Sequence, residues 1–553
     1  MKKGFLSYLI RILVSLAIIF VGYWFWLPPF NIHSESMWNF LIFAIITFTV
    51  INAFSDIIMW ISAHIKNKDI VSGNKPKFSF KRFSAPVKVS VIAVGAIILL
   101  IIGGNLIGVQ VFNASRYKNL ITVTDGDFST DVAEIGMESI PVVDRDTAER
   151  LGQRKLGEMS DLVSQFEIQE IYTQINYKGR PVRVTPLIYG DFIKWINNMS
   201  DGIPAYVTVD MTTQETALVR LEDGIKYSTG EYFMRNLHRY LRFKYPTVIF
   251  DNISFEIDDD GTPYWVASAA TYRIGLFSGK DICGAVLLNA QTGESKYYDI
   301  DEVPQWVDQV YDSDMITSQL IYNGKYRSGF FNSIFGQKGV LQPTEGYNYL
   351  AINDDVYLYT GMTSVTSDES NVGFVLVNMR TKETKFYSIP GAEEYSAMDS
   401  AEGQVQHLGY SSTFPLLLNI SDRPTYFVSL KDGAGLVKMY AFVDVQQYQI
   451  VGTGNTVEAA RADYMSKLKS EDVTVEDRQE TEVSGTVSRV GSAVVDGNTN
   501  YYIMLDGDNT VYTVPITISD MLPFVVAGDG VQMTVSDGVS GAVVTKFEVS
   551  QKQ

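Results

Sequence analysis

The 553-residue sequence has a single cysteine, Cys283, and only four histidines. One thiol cannot form an intrachain disulfide, and no cysteines stand at zinc-finger spacing. His33, His64, His238 and His407 lie far apart, so they form no local metal motif. GxSxG, HExxH and P-loop patterns are also missing. The sequence therefore gives no sign of an enzyme, and no motif predicts a cofactor or a bound metal.

Basic residues are the minority charge. The chain has 45 Lys and Arg against 63 Asp and Glu, a formal net charge of −18. Residues 1–112 carry a net +7 and the remainder carries −25, which together give that total. The acidic remainder argues against nucleic acid as a partner, whereas it would tolerate cations or a basic protein. Because 46% of residues are apolar, most of the chain is expected to fold.

Three apolar runs, at 4–27, 37–62 and 87–112, are long enough to cross a bilayer, which takes about 20 residues. Lys2 and Lys3 precede the first run, as they would in a signal peptide. The segment "YWFWLPPF" follows this run where a small-residue cleavage site would be expected. We therefore interpret the first run as an uncleaved helix and the lipid bilayer as one partner of the chain.

The distribution of basic residues predicts the orientation of these spans. The first connection, "PPFNIHSES", has no Lys or Arg. The second connection and its flanks hold seven basic residues: Lys66, Lys68, Lys75, Lys77, Lys81, Arg82 and Lys88. The positive-inside rule then places this connection and the N-terminus in the cytoplasm. The chain is thus predicted to be a multi-pass protein of the cell membrane, with residues after 113 extracytoplasmic.

Two charged residues, Arg11 and Asp56, interrupt the first and second apolar runs. Antiparallel helices would place them at similar depth near the cytoplasmic side. They are interpreted as a structural charge pair, as side chains that snorkel to the nearby interface, or as part of an ion or proton pathway in an oligomer. "GNLIG", Gly104 to Gly108, is a small-xxx-small motif that permits close helix packing.

A hairpin-like segment recurs in the acidic part of the chain. "VLLNAQTGESKYYDI" at Val286 matches "VLVNMRTKETKFYSI" at Val375 at 8 of 15 positions, and "VTVDMTTQETALVRL" at Val207 matches the latter at 6 of 15. A fainter copy is "FVDVQQYQIVG" at Phe442. We interpret the shared residues as structural markers of a repeated hairpin; they are Asp210, Asn289, Thr292, Glu294, Asn378, Thr381 and Glu383.

Segments before two of these hairpins have helical patterns. In "STGEYFMRNLHRYLRFKYP" an apolar face includes Phe233, Leu237 and Leu241. In "DEVPQWVDQVYDSDM" Pro304 suits a first helical position, and Trp306 begins an apolar stripe. The order of helix, strands and hairpin, with Asn289, Thr292, Gly293 and Glu294 in "NAQTGE", resembles PepSY-type domains. That resemblance is best for 230–300, and it implies binding or restraint of partner proteins rather than catalysis.

The C-terminal part has its own pattern. "TVEAARADYMSKL" predicts a helix with Thr456 as N-cap, and a charged linker follows it. Short strands then alternate with Gly/Asp turns, as in "VSGTVSRVGSAVVDGNTNYYIMLDGDNTVYTV". The pattern resembles an OB-fold or a similar small barrel. A nucleic-acid role is not expected, because the segment lacks a basic stripe.

Two further features, an acidic segment and the single thiol, are candidate binding or reactive sites. "EIDDDGTPY", Glu256 to Tyr264, begins like a calcium loop, but Ala267 occupies the position of the closing acid. A plain hairpin turn is the favoured interpretation. Cys283 precedes a strand without a neighbouring histidine or basic motif, so a buried or partly buried thiol is expected.

Together these patterns predict a membrane-anchored α+β protein with three N-terminal transmembrane helices, tandem antiparallel PepSY-like repeats and a C-terminal small β-barrel. The predicted domains are a membrane domain at 1–112, four repeats at 113–225, 226–303, 304–392 and 393–467, a linker at 468–482 and an OB-like barrel at 483–553. The expected function is a non-catalytic binding, scaffold or modulatory module for another envelope protein or in a homo-oligomer. The alternative is a subunit of a transport or channel assembly.

Overall fold

A computed structural model describes residues 2–66, 83–132, 134, 140–352, 354–365, 367–470, 481–495, 498–508, 510–519, 521–538 and 541–550. Lys68, Lys75, Lys77, Lys81 and Arg82, which carry much of the orientation argument, lie outside the described residues. Most of the predicted linker at 468–482 also lies outside them. The architecture is α+β, with three long apolar helices at the N-terminal end.

The three long helices are α1 (Lys2–Trp26), α2 (Glu35–Lys66) and α3 (Ala85–Ile107). Each contains a stretch long and apolar enough to cross a membrane, which fits a multi-pass anchor. Helix α3 ends at Ile107, before the predicted boundary at 112. The Asn113 amide donates to the carbonyl oxygens of Ile107 and Val109, which takes up acceptors that a longer helix would use.

Eight shorter helices follow: α4 (Gln110–Lys118), α5 (Phe128–Asp131), α6 (Arg145–Gly157), α7 (Phe192–Asn198), α8 (Leu237–Lys244), α9 (Ser313–Lys325), α10 (Glu394–Gln404) and α11 (Val457–Ser470). Local capping explains several starts: Asp144, Asp191, Asn236 and Asp312 each accept a backbone N–H three residues on. The Thr456 hydroxyl accepts from the Ala459 N–H at 3.2 Å, so the predicted N-cap of α11 is confirmed.

The helix predicted from Pro304 is wrong. The segment leading to α9 has no regular helix between 303 and 312. Its backbone N–H groups are used elsewhere: Asp308 and Gln309 donate to the Glu256 carboxylate, and Val310 donates to the Met379 carbonyl oxygen. These tertiary acceptors hold the segment extended despite its helical periodicity.

Strand β1 (Val123–Asp125) is followed by two antiparallel sheets. The first contains β2 (Phe166–Ile168), β3 (Thr173–Tyr177), β4 (Arg180–Tyr189), β5 (Ile203–Asp210) and β6 (Thr216–Ile225), in the order β2-β4-β5-β6 with β3 also paired to β4. The second contains β7 (Ile249–Ile257), β8 (Pro263–Ile274), β9 (Ser278–Asn289) and β10 (Ser295–Asp299), in the order β10-β9-β8-β7.

The third sheet contains β11 (Leu341–Pro343), β12 (Asn348–Ile352), β13 (Asp355–Ser364), β14 (Ser367–Asn378), β15 (Thr384–Tyr387) and β16 (Gly391–Ala392). Strand β1 joins it in parallel beside β15. The fourth contains β17 (Ser411–Ser412), β18 (Leu416–Ile420), β19 (Arg423–Lys431), β20 (Val437–Asp444) and β21 (Val451–Gly454). One hydrophobic core extends through residues of all four sheets.

The last five strands are β22 (Thr481–Val495), β23 (Asn498–Leu505), β24 (Tyr512–Pro515), β25 (Gly530–Gly538) and β26 (Gly541–Ser550). They pair in the order β22-β23-β24-β26-β25, and β22 also pairs with β25, which gives a barrel-like sheet. Its core, around Ile503, Val514 and Met533, is separate from the core of the four sheets.

Helix α8 and the second sheet contact the ends of α1 and α3. The Arg242 Nε of α8 donates to the Leu27 carbonyl oxygen at 2.9 Å, and the Phe30 N–H donates to that of Pro246 at 2.7 Å. The β8–β9 turn lies against α3, so a Cβ on Gly104 would come within 2.9 Å of Leu276. Gly104 thus admits a turn of the second sheet. We call the described residues of 113–470 the sheet region; its α8 and β8–β9 turn lie at the helix ends next to the α1–α2 connection.

Candidate binding cavity

Four of the predicted hairpins turn in the same way. In each, the side-chain oxygen Oδ1 of one residue accepts backbone N–H groups two and three positions on, at 2.7–3.0 Å. The four accepting residues are Asp210, Asn289, Asn378 and Asp444. This is an Asx turn, in which an Asn or Asp side chain replaces a backbone acceptor.

The Thr-x-Glu pairs belong to the same turns. The Thr292 hydroxyl accepts the Glu294 N–H at 3.2 Å, and the Thr381 hydroxyl accepts the Glu383 N–H at the same distance. The residue between each pair has a positive φ, 78° at Gly293 and 64° at Lys382. The side chains of the marker residues thus organise their own hairpins.

Arg11 and Asp56 lie on α1 and α2, each with a half-buried side chain. Oδ2 of Asp56 accepts the Ser84 N–H at 2.9 Å, just before α3 begins. An anionic side chain there accepts a backbone donor that the helix leaves unsatisfied and complements the positive end of the helix dipole. The Arg11 carbonyl oxygen accepts from the Ser15 hydroxyl at 2.8 Å.

The acidic stretch after Glu256 forms the β7–β8 turn. Oδ1 of Asp258 accepts the N–H groups of Asp260 and Thr262 within it, at 3.0 and 2.8 Å. Glu256 itself lies in β7 and is completely buried, so its carboxylate does not face the turn. Among the residues that the structure describes, no cluster of His, Cys, Asp and Glu could hold a metal ion. Cys283 is half-buried.

A cavity of about 390 Å³ lies where the first, third and fourth sheets meet the start of α6. Its walls include Asp144 and Arg145 at the start of α6, and Tyr172, Gln174 and Arg183 from the first sheet and its edge. The remaining polar and aromatic walls come from Asp146, Gln309, Tyr347, Asn348, Tyr349, Thr413, Phe414, Phe427 and Ser429. Neither a histidine nor a cysteine is among the lining residues.

Arg183, on β4, is the most unusual side chain of this cavity. It is only 7% exposed. One terminal nitrogen donates to Oε1 of Gln174 at 3.2 Å and the other to the Tyr172 carbonyl oxygen at 3.4 Å, while its Nε has no hydrogen-bond partner. Burial lowers the pKa of the guanidinium to about 10, so it stays charged at neutral pH.

No carboxylate of the described residues lies within 4.0 Å of the Arg183 guanidinium. Asp144, a nearby carboxylate, is already used: it accepts from Lys431 at 2.5 Å and from the Thr147 N–H at 2.9 Å. Burial acts to raise the pKa of Asp144, but these hydrogen bonds outweigh it and lower that pKa. Asp146, which is exposed at the same cavity, and Asp144 both act at longer range to favour the charged guanidinium. Among the described residues, Arg183 therefore has no carboxylate in direct contact, although two acidic residues lie near it.

Behind the cavity wall lies a pair of buried carboxylates. Glu256 accepts the Asp308 N–H at 2.8 Å, and Asp308 accepts the Asn176 N–H at 2.6 Å. The second Asp308 oxygen is buried without a partner. Burial and, second, the neighbouring Glu256 raise the pKa of Asp308 well above its usual range. Gln309 links this pair to the cavity, because its amide donates to the Gln174 carbonyl oxygen at 3.0 Å.

The sequence patterns above did not single out Arg183. The available signal was an arginine between two valines in the segment that forms β4. Its significance lies in the tertiary structure, where the guanidinium is buried and no carboxylate of the described residues comes within 4.0 Å of it.

No family model and no curated protein matches this chain.

Proposed function

We propose that the chain is a non-catalytic, membrane-anchored binding module of the cell envelope, and that its cavity receives a carboxylate group of a partner envelope protein. The observation that carries this proposal is the buried guanidinium of Arg183 on an open cavity, with no carboxylate of the described residues within 4.0 Å. The partner would supply a carboxylate in direct contact with it. An extracytoplasmic setting follows from the orientation predicted by the basic residues.

The energetics favour an anionic occupant. Taking an ion out of water costs several kcal/mol even after relaxation, on the order of what one good ion pair can repay. A carboxylate can receive two parallel hydrogen bonds from a guanidinium, which gives both strength and direction. About 390 Å³ lies within the range of about 300–1,000 Å³ typical of small-ligand sites, so an acidic side chain or chain terminus would fit.

The walls of the cavity suit the apolar parts of a partner segment as well as its carboxylate. Tyr347, Tyr349 and Phe414 offer ring surfaces, and Tyr347 is 40% exposed at the cavity. The side chains of Asn348 and Ser429 add polar character to the lining. An acidic residue flanked by apolar residues is the partner segment that this combination would recognise.

The relation to PepSY-type domains is also part of the proposal. It is supported by sheets that recur along the chain and by the shared Asx turns at Asp210, Asn289, Asn378 and Asp444. An OB-like fold for the last five strands is proposed in the same way, supported by their barrel-like pairing order. Both relations would place the chain among binding modules.

A photo-crosslinking experiment on intact cells tests the proposal. Tyr347 is replaced by p-benzoylphenylalanine in the full chain, and crosslinked products are identified. We expect one envelope protein to be captured, and Arg183→Met to reduce its capture at least tenfold. Arg220→Met is the matched control, because Arg220 lies on the same sheet, is half exposed and pairs with Asp161.

Capture of the same protein at equal yield by the Arg183→Met variant would contradict the proposal that the partner binds in the cavity through Arg183. Absence of any protein captured above background by the unaltered chain would contradict the binding function itself. A crosslink to a second copy of this chain would identify the partner as a homo-oligomer contact.

A further inference from the structure

An apolar patch surrounds α7 on the surface of the sheet region. Helix α7 turns Trp195 inward, where its Nε1 donates to the buried Glu231 at 2.8 Å. Its opposite side then faces outward, and Ile193 is 63% exposed. We define the α7 patch as its exposed large apolar residues, which are Phe192, Ile193, Ile196, Met199, Phe233 and Met234.

The α7 patch is tied to the end of the first membrane helix. Arg239 donates to the Phe233 carbonyl oxygen at 2.7 Å and to that of Trp24 at 3.4 Å. Its guanidinium also lies 4.3 Å from the centre of the Trp24 ring. Trp24 is two residues from the end of the candidate span Tyr8–Trp26. The patch therefore lies beside the point where α1 leaves the apolar layer.

A second apolar patch follows α9. Phe331, Ile334 and Phe335, which we call the 331–335 patch, are 68%, 51% and 82% exposed. Phe330, just before them, stacks on Tyr326 with ring centres 6.1 Å apart. The short helical segment Asn332–Gly336 thus presents large apolar side chains to its surroundings instead of covering them.

The 331–335 patch is tied to the end of the third membrane helix. The Tyr326 hydroxyl donates to Oε1 of Gln110 at 2.5 Å. Tyr326 also packs in a small core with Ala114 and Tyr117 of α4. Gln110 comes three residues after Ile107, where the candidate span ends. Three residues span at most about 10 Å, so Gln110 lies close to the end of that span.

We propose that the α7 patch and the 331–335 patch insert into the interfacial layer of the bilayer and hold the sheet region down on the membrane surface. Contiguous exposed apolar residues mark interaction surfaces, whereas single ones do not. Both patches are fixed next to span ends, so the surface closest to them is lipid. Lys194 and Arg235 beside the first patch, and Lys325 and Lys338 beside the second, can extend toward headgroups.

Spin-label accessibility in nanodiscs tests this. The full chain carries Cys283→Ala, which removes the only native thiol. Single cysteines replace Ile193 or Phe335, and Tyr448→Cys is the matched control, because Tyr448 is 40% exposed in the β20–β21 turn, where its neighbours in sequence are polar. Collision of each label with oxygen, which concentrates in lipid, is compared with collision with a water-soluble nickel chelate.

We expect the oxygen-to-nickel ratio at 193 and 335 to exceed that at 448 several-fold in phosphatidylcholine–phosphatidylglycerol nanodiscs. Equal ratios at all three positions would overturn the proposal. Low collision with both reagents at 193 or 335 would also overturn it, because it would indicate that protein, from a partner or a second copy, covers the patch. The readout does not involve the cavity, so it is independent of the proposed function.

Discussion

At the scale of single residues, one position of the recurring turn has a positive φ, which favours glycine but also occurs here with other residues. Gly293 has a φ of 78°, and Gln214 occupies the corresponding position with a φ of 64°. A side chain costs roughly 1–2 kcal/mol in this left-handed region. The glycine of "NAQTGE" is therefore favoured by the turn, while the changes at other copies are tolerated at a small cost.

This predicts opposite effects for two substitutions. Gly293→Ala should lower the free energy of unfolding by roughly 1–3 kcal/mol, because the added Cβ would also meet the Tyr227 ring at 2.4 Å. Gln214→Gly should leave stability unchanged or raise it by up to about 1 kcal/mol. Thermal unfolding followed by intrinsic fluorescence measures both. Destabilisation by Gln214→Gly would contradict the equivalence of the two turns.

The raised pKa of the buried Asp308 carboxyl predicts that the stability of the fold depends on pH. A carboxyl whose pKa is raised by folding stabilises the fold fully below its unfolded pKa of about 4, and that contribution is lost as pH rises through the folded pKa. The stability of the unaltered chain relative to Asp308→Asn should therefore fall from pH 5 to pH 8. Thermal unfolding at each pH measures this difference, and the exposed Asp314→Asn is the control. A difference that grows with pH would contradict the assignment.

Single residues also differ in how far their role can be predicted from the sequence. Asp210, Asn289 and Asn378 could be found because each acts on N–H groups two and three residues away. Arg183 could not be assigned in the same way, since its significance depends on which side chains of other strands come near it. Tyr349 and Ser429, which line the same cavity as Arg183, are more than 150 residues away in sequence, so no local pattern indicates that they come near it.

At the scale of elements, the contact between the β8–β9 turn and α3 is one of those that hold the sheet region against the long helices. The contact depends on Gly104, where no side chain separates α3 from Leu276. Small-xxx-small motifs commonly serve helix pairs. Here the same absence of a side chain accommodates a hairpin turn.

Gly104→Ile should separate this turn from α3 and cost about 1–3 kcal/mol, as overpacking typically does. Gly103→Ile is the matched control, because a Cβ on Gly103 would meet nothing within 4 Å. Hydrogen exchange of the backbone at 275–278 is the measurement, and only Gly104→Ile should increase it. Equal exchange in both variants would show that the contact is not maintained in solution.

The membrane charges give a test of the transport alternative. Replacing Asp56 by Ala should weaken the start of α3 by about 0.5–2 kcal/mol, because its carboxylate accepts the Ser84 N–H. If the chain is a binding module, Arg11→Ala combined with Asp56→Ala should leave ion flux in proteoliposomes unchanged. A change in flux, with insertion preserved, would favour the transport subunit over the binding module.

At the scale of the whole molecule, three helices and a much larger sheet region meet at one set of helix ends. The positive-inside rule predicts that this side is extracytoplasmic. In a Cys283→Ala background, Phe524→Cys should react with a membrane-impermeant maleimide on intact cells. Lys75→Cys, in the basic connection, should react only after permeabilisation. The reverse pattern would invert the predicted orientation.

The sequence by itself determined the three long apolar helices, which fit membrane spans, and the recurring turns, because side-chain hydropathy and Asx hydrogen bonds act over a few residues. The helix predicted from Pro304 was wrong, because the N–H groups of Asp308 and Val310 in that segment donate to Glu256 and Met379, which lie far away in sequence. Only the tertiary structure decided that Arg183 would be buried without direct contact to a carboxylate of the described residues and that two apolar patches would lie beside the span ends. Both depend on which surfaces the folded sheets bring together, and that is set by packing across long sequence separations.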